Sequence, residues 1–268
     1  MNDPSTAHPL FRNWDAYSTI IDRNWMMHQE IQSGVADRLR MLLRPLRVLD
    51  LGCGNGWMAR QCLAGRSISH YVGVDLSDHA IEQARQMAGV TGWLEGAKAD
   101  WVVGRMESEV ERMGDCCFDV VLTHYALHHL AASRKRSMVQ QLAVRMVPGG
   151  HWYWSDVFRA EGETREAFLR RIQTEIEGWK DLPESEVQKV IAHIWESDFP
   201  ESVSQMKSWC DEAGLVMEPS FLQSPFYGAW LIRKPIDVAS TIPVGAEEAE
   251  STDPDPAACR DNPSWPRR

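Results

Sequence analysis

The segment Val48-Leu49-Asp50-Leu51-Gly52-Cys53-Gly54-Asn55-Gly56 concentrates the residue types from which a ligand-binding loop is made. A short apolar run meets an acid, then three glycines at alternate positions, and a helical stretch follows. Glycines let the backbone approach a ligand or a neighbouring helix closely. The N–H groups at the helix start favour a polar or anionic group. The spacing is G-x-G-x-G, not the dinucleotide fingerprint G-x-G-x-x-G, and Trp57 obstructs the helix–strand contact that a third glycine would serve. Asp50 sets a carboxylate where a pyrophosphate would approach, which suits a cationic or zwitterionic ligand better than a dianion. A P-loop is excluded, because no Gly-Lys-Ser/Thr ends the loop. Asp75 closes the next apolar run, 25 residues after Asp50. It is placed to accept hydrogen bonds from a ribose diol, or else to cap the helix after it.

A second group of reactive types lies at Thr123-His124-Tyr125 and His128-His129. An imidazole titrates near neutrality, so His124 can take a proton from an acceptor, merely orient that acceptor by a hydrogen bond, or serve structure alone. His124 and His128 have i,i+4 spacing, but no H-E-x-x-H pattern and no further ligand cluster accompanies them, so no metal is expected.

These residues need elements to hold them. Leu46–Asp50, Tyr71–Asp75 and Phe118–Thr123 read as short strands, Gly92–Gly96 as a poor third strand, and Trp152–Ser155 as a fifth. Helical stretches fall between them, near 57–64, 77–87 and 133–146, the last closed by Pro148-Gly149-Gly150. Such alternation predicts a parallel sheet covered on both faces, with right-handed crossovers. Residues 14–43 show helical periodicity that Pro45 ends. Two helical stretches at 162–179 and 184–196 interrupt the alternation, a helix spans 202–213, and Leu215–Leu222 and Phe226–Ile232 form a closing strand pair. The division expected is a helical lid over 1–44, a main domain over 45–235 with an insertion at 157–199, and a tail over 236–268. That tail is rich in proline and acid, which predicts disorder.

The chain has 268 residues, 44% hydrophobic and 25% charged, with a net charge of −10. An acidic surface disfavours a phosphate backbone as partner. Arg134-Lys135-Arg136 is the densest basic cluster and reads as a solvated helix start. No apolar run reaches membrane-spanning length, so no membrane partner is expected. The first residues do not read as a signal peptide, and none of the six cysteines forms a C-x-x-C pair. Both features predict free thiols and a cytoplasmic location.

Asp50–Gly56 resembles the first motif of the class I S-adenosylmethionine-dependent methyltransferases, and Asp75 resembles their second. Phe118-Asp119-Val120-Val121-Leu122 with Ala126-Leu127-His128-His129-Leu130 resembles their fourth-strand region, and Val147-Pro148-Gly149-Gly150 the turn before strand five. The resemblance covers about residues 45–235. It implies an α/β fold with a seven-stranded, doubly wound, mostly parallel sheet of order 3-2-1-4-5-7-6, strand 7 antiparallel. It implies S-adenosylmethionine as cosubstrate, lying across the carboxyl ends of strands 1 and 2. The donor residues so implied are Asp50, Gly52, Cys53, Gly54, Asn55, Gly56, Asp75, Leu76 and Thr123, with Tyr17 from the lid. The family's third motif supplies an acid to the adenine. Ala97 takes that register here, and Asp100 can serve instead with Trp101 beside the base, or can be a solvent-facing helix acid.

The resemblance puts His124 opposite the transferred methyl. Tyr17, Trp25, Met26 and His28 can then form a lid that excludes water, with Tyr125 beside the acceptor, although Trp25 and Met26 equally suit an ordinary core. The insertion resembles the acceptor-determining segment of small-molecule methyltransferases. The expected function is methyl transfer to a small molecule by in-line displacement. Methylation of RNA or protein, and binding of the donor without turnover, are the alternatives, and oligomeric state is left open. An N-P-P-Y type motif is absent at Thr123-His124-Tyr125-Ala126, which counts against amino-directed nucleic-acid methylation.

Overall fold

A computed structural model describes residues 14–236, with side chains from Tyr17 onward. The leader, the tail beyond Ile236 and Cys259 lie outside these residues. The lid region forms two helices, α1 (Trp14–Asp22) and α2 (His28–Leu39). They are separated where Asn24 and Met27 take left-handed φ values of 55° and 59°.

Strands β1 (Leu46–Leu51), β2 (Ile68–Asp75), β3 (Lys98–Val103), β4 (Phe118–His124) and β5 (Met146–Val157) run parallel. Helices α3 (Trp57–Cys62), α4 (Asp78–Thr91), α5 (Met106–Glu111) and α6 (Ala132–Arg145) connect them. After β5 come α7 (Arg165–Glu177), α8 (Glu184–Ser197) and α9 (Val203–Glu212). The chain closes with β6 (Val216–Met217), β7 (Leu222–Gln223) and β8 (Tyr227–Arg233). The sheet order is β3-β2-β1-β4-β5-β8-β6, with β7 also on β8, and β8 is antiparallel to β5. The expected order therefore holds, and the penultimate strand is split into two short pieces on one edge of β8.

Two boundaries differ from the sequence reading. The third strand is Lys98–Val103; Gly92–Gly96 is the left-handed cap of α4 and the turn after it. Leu94 in that turn is apolar because it is buried against the face that carries Tyr71, not because it pairs in the sheet. The fifth strand also starts earlier, at Met146, and runs through Pro148 beside a register shift opposite Phe118 and Val120.

Period-two alternation sorts the strand residues onto two faces. Leu49, Leu51, Val72, Val74, Val121, Trp152 and Trp154 pack on one face with α6 and α9, through Met138, Leu142, Met206 and Trp209. Val48, Tyr71, Val120, Leu122 and Tyr153 pack on the other with α2 and α3, through Ile31, Val35, Leu39, Ala59 and Cys62. A third cluster joins α7 and α8 to Ile20 of α1, to Val157 at the end of β5 and to Tyr227 of β8. That cluster fixes the insertion above the carboxyl ends of the strands.

Candidate active site

The order in which successive strands are laid down reverses between the parallel strands β1 and β4, and ligands of open α/β sheets bind in the crevice at such a point. Asp50 lies opposite Leu122 in the register, and Leu51 opposite Thr123. By alternation, Asp50, Tyr71, Asp75, His124 and Ser155 all project toward the face covered by α2 and α3.

The glycine loop is built as its spacing requires. Gly52, Gly54 and Gly56 have φ of 71°, 53° and 76°, a region that residues with a side chain rarely enter. A β-carbon on Gly52 would lie 2.6 Å from that of Ala126, the residue just past β4 and Tyr125. Behind the loop, a β-carbon on Gly73 would come within 3.0 Å of both Cys53 Sγ and the Trp101 ring. Asp75 ties the loop to β2: one carboxylate oxygen accepts from the Gly54 N–H at 2.9 Å and the other from the Ser77 N–H at 2.8 Å. Ser77 itself caps α4 by accepting from the Ala80 N–H, so the capping role weighed for Asp75 belongs to Ser77. Asn55 Oδ1 accepts from the Trp57 N–H at 3.0 Å and settles the first turn of α3.

Asp50 lines the cavity beside the loop, and Asp75 holds the loop from behind. Asp50 is buried and accepts from the Tyr71 hydroxyl at 2.7 Å. Burial pushes its pKa up to about 7 against the pull of that bond. Burial likewise raises Asp75, opposed by the backbone N–H groups of Ser77, Gly54 and Leu76.

The opposite wall carries Tyr17, Ile21, His28, Trp57, His124 and Tyr125. Tyr17 Oη is 3.3 Å from His28 Nε2, and burial drives the phenol up to about 12. Burial lowers His28 to about 4 and His124 to about 3. His124 shares a short hydrogen bond between Nδ1 and Ser155 Oγ, and its Nε2 lies 3.8 Å from Cys62 Sγ. A neutral ring engaged at both nitrogens is a poor proton acceptor and a good positioning group. Among the described residues, His28 Nδ1 is buried with no hydrogen-bond partner. The Tyr125 hydroxyl donates to the Met26 carbonyl and so latches the linker between α1 and α2 onto the end of β4.

Several expected site residues point elsewhere. Asp100 lies in mid-strand opposite Val72, three residues short of the β3 tip. It is on the face away from Asp50 and Asp75, bonded to His70 at 2.7 Å and paired with Lys98 at 2.9 Å. An adenine role is not served from there. Its neighbour Trp101 is on the correct face, with its ring about 5.0 Å from Tyr71. Thr123 is fully buried on the far face and accepts from Trp152 Nε1 at 2.8 Å. Trp25 stacks on Trp179 of the insertion at 4.7 Å, and Met26 lends a carbonyl to Tyr125 while its side chain packs on the same insertion cluster, which is the core role for both. His124 and His128 do not converge, because His128 bonds Asp156 on the face away from the loop. The sequence reading missed Trp57, Ile21, Cys62 and Ser155. Ile21 was findable as the i+4 neighbour of Tyr17; Cys62 and Ser155 carry no local signal.

Residues 48–150 match a family model described as a methyltransferase domain. The chain is 24% identical over 230 residues to carboxy-S-adenosyl-L-methionine synthase of Aeromonas salmonicida, covering 83% of this chain and 89% of that one. It is 37% identical over 78 residues to malonyl-[acyl-carrier protein] O-methyltransferase of Erwinia pyrifoliae, covering 28% of this chain and 29% of that one. A solved SAM-dependent methyltransferase of Leishmania major superposes with a TM-score of 0.57 at 12% identity, over 83% of this chain and 80% of the other.

Proposed function

With the chain being a class I S-adenosylmethionine-dependent methyltransferase, we propose that it methylates a small-molecule acceptor held between the glycine loop and the wall of Tyr17, His28 and His124. The donor is S-adenosylmethionine. When bound, it supplies a methyl group already activated on a sulfonium.

The residues present fit this donor. The positive-φ glycines open backbone room at the end of β1, and Asp50 and Asp75 supply two carboxyl groups whose ionised forms a bound sulfonium and ammonium would favour. Asp75, Leu76 and Ser77 lie where a ribose diol would rest, with Trp101 and Trp57 as apolar surfaces nearby. Gly52, Cys53, Gly54, Asn55 and Gly56 offer backbone groups to the amino-acid end, and Tyr17 closes over it.

In-line displacement needs chiefly alignment of the acceptor atom, and positioning can supply most of the rate. His124 serves this reading as an orienting group. His28 Nδ1, the unpartnered polar atom of the wall, serves it as the hydrogen-bond contact to the acceptor. That unpartnered atom, on a ring lining the cavity opposite the glycine loop, is the observation that carries the reading. The acceptor is small, polar and not a polyanion, since the chain's net charge of −10 repels one.

The test is an acceptor screen in which S-adenosylhomocysteine release is followed, with donor binding measured separately by calorimetry. Turnover on small polar acceptors that His28→Phe reduces at least tenfold, with donor affinity kept, is the expected result. Donor binding without release on any small acceptor, or release only with RNA or protein, overturns it.

A further inference from the structure

On the sheet face away from the glycine loop, four side chains from two distant segments meet. His128 and His129 belong to the single 3-10 turn (Leu127–His129) after β4. His193 lies in α8, and Asp198 is the residue just past its end. Asp198 Oδ1 sits 3.6 Å from His128 Nε2, 3.5 Å from His129 Nδ1 and 3.9 Å from His193 Nε2. Among the described residues that oxygen is buried and accepts no hydrogen bond. The Asp198 side chain is 5% exposed, and those of His128 and His193 are 7% exposed.

These distances are too long for hydrogen bonds. Those to His128 and His129 are close to the edges of a coordination tetrahedron, which are about 3.4 Å long for bonds of about 2.1 Å to zinc, and the donor atoms of these two histidines and Asp198 all lie within 4.8 Å of one another. Asp156 pairs with His128 Nδ1, which leaves Nε2 directed at Asp198 Oδ1. A buried carboxylate facing that nitrogen calls for positive charge between them, which a proton on Nε2 or a metal ion in its place supplies. Asp156 thereby stands where a carboxylate orients a metal-bound imidazole from behind. The Lys135 ammonium does not fill this place, since it bonds the Phe199 carbonyl and faces Glu201 at 3.9 Å. His129 Nδ1 also lies 3.3 Å from the Ser197 carbonyl. Coordination would move that ring's proton to Nε2, and at 26% exposure the His129 side chain is the open side of the cluster.

We propose that His128 Nε2, His129 Nδ1 and Asp198 Oδ1 bind one divalent transition-metal ion, zinc being the ion their nitrogen–oxygen donor set suits best. The ion ties the end of α8 to the turn after β4, and so holds the insertion against the strand that carries His124 and Tyr125. Three positions are taken by protein, which leaves the fourth to water on the open side beside His129. The expectation of no metal took His128 and His129 without Asp198, which arrives more than sixty residues later.

The test uses the full chain without an affinity tag, stripped with a chelator, then titrated with zinc or cobalt ions. One equivalent of zinc should be retained through gel filtration. Free zinc at about a hundredfold over its dissociation constant should raise Tm by about 5–10 °C. Cobalt should give the intense visible absorption of a four-coordinate ion. Asp198→Asn and His129→Gln should each weaken zinc binding at least tenfold while leaving donor binding by calorimetry unchanged. Zinc uptake by the native chain no greater than by the double variant overturns the proposal. So does the weak absorption of six-coordinate cobalt, a measurement that needs no variant to fold.

Discussion

At His124 and His28, burial and not a charged partner sets the protonation state. Both stay neutral in the folded chain, with pKa values lowered to about 3 and about 4, whereas in the unfolded chain both protonate near pH 6.5. Below that pH the unfolded state therefore binds more protons. Each histidine removes stability at about 1.4 kcal/mol per pH unit as pH falls toward its folded value. Asp50 acts in the opposite sense: its raised pKa of about 7 means the folded chain protonates first, so stability it withholds at alkaline pH returns as pH falls through about 7. Between about pH 6.5 and pH 5, His124→Gln should lose about 2 kcal/mol less than the native chain, read by urea unfolding at each pH. Equal losses would show that His124 is not held neutral. At Gly52 the constraint is steric. Gly52→Ala adds a β-carbon at positive φ and 2.6 Å from Ala126, and should cost about 2–3 kcal/mol of stability and abolish donor binding in calorimetry. At Asp75, alanine removes the carboxylate that gathers the Gly54 and Ser77 N–H groups. Asp75→Ala should weaken the donor at least tenfold, and unchanged affinity would refute its role.

At the scale of elements, α1 is held less by its own helicity than by the insertion. It spans only nine residues, too few to persist alone, and Ile20 and the Trp25–Trp179 stack are what anchor it. Trp179→Ala should speed amide exchange across Tyr17–Asp22 at least tenfold relative to β1 and β4, because it releases the lid and not the sheet. Elements of this kind differ in how far sequence reveals them. β1, β2 and β4 were legible because a central parallel strand is apolar on both faces and ends on a chemically distinctive residue: Asp50, Asp75 or His124. β3 was not, because Lys98, Asp100 and Trp101 make an edge strand read as a loop, while the true loop held the apolar pair Trp93-Leu94. The same face alternation that misplaced Asp100 and Thr123 could be applied only once the start of each strand was known, since a one-residue slip turns every side chain to the other face. The glycine loop was legible in full. The partners of His124 and His128 were not, as Ser155, Asp156 and Asp198 are brought in by tertiary packing alone.

At the scale of the whole molecule, the three apolar clusters share strands: Val157 of β5 and Tyr227 of β8 carry the insertion cluster, and Trp154 and Trp230 of the same strands belong to the sheet core. Shared strands predict one cooperative transition. Near-ultraviolet signals from the tryptophans and far-ultraviolet signals from the backbone should superimpose in urea, and separate midpoints would show the insertion unfolding on its own. The split penultimate strand has a separate consequence. A long straight outer strand offers a row of unpaired N–H and C=O groups on which another chain can assemble. Here that border is two fragments of two residues each, β6 against Ile232 and Arg233 and β7 against Gly228 and Ala229, with Pro219 in the break between them. A passing strand finds no uninterrupted template there, so this margin of the sheet is protected against fibre growth by its own discontinuity.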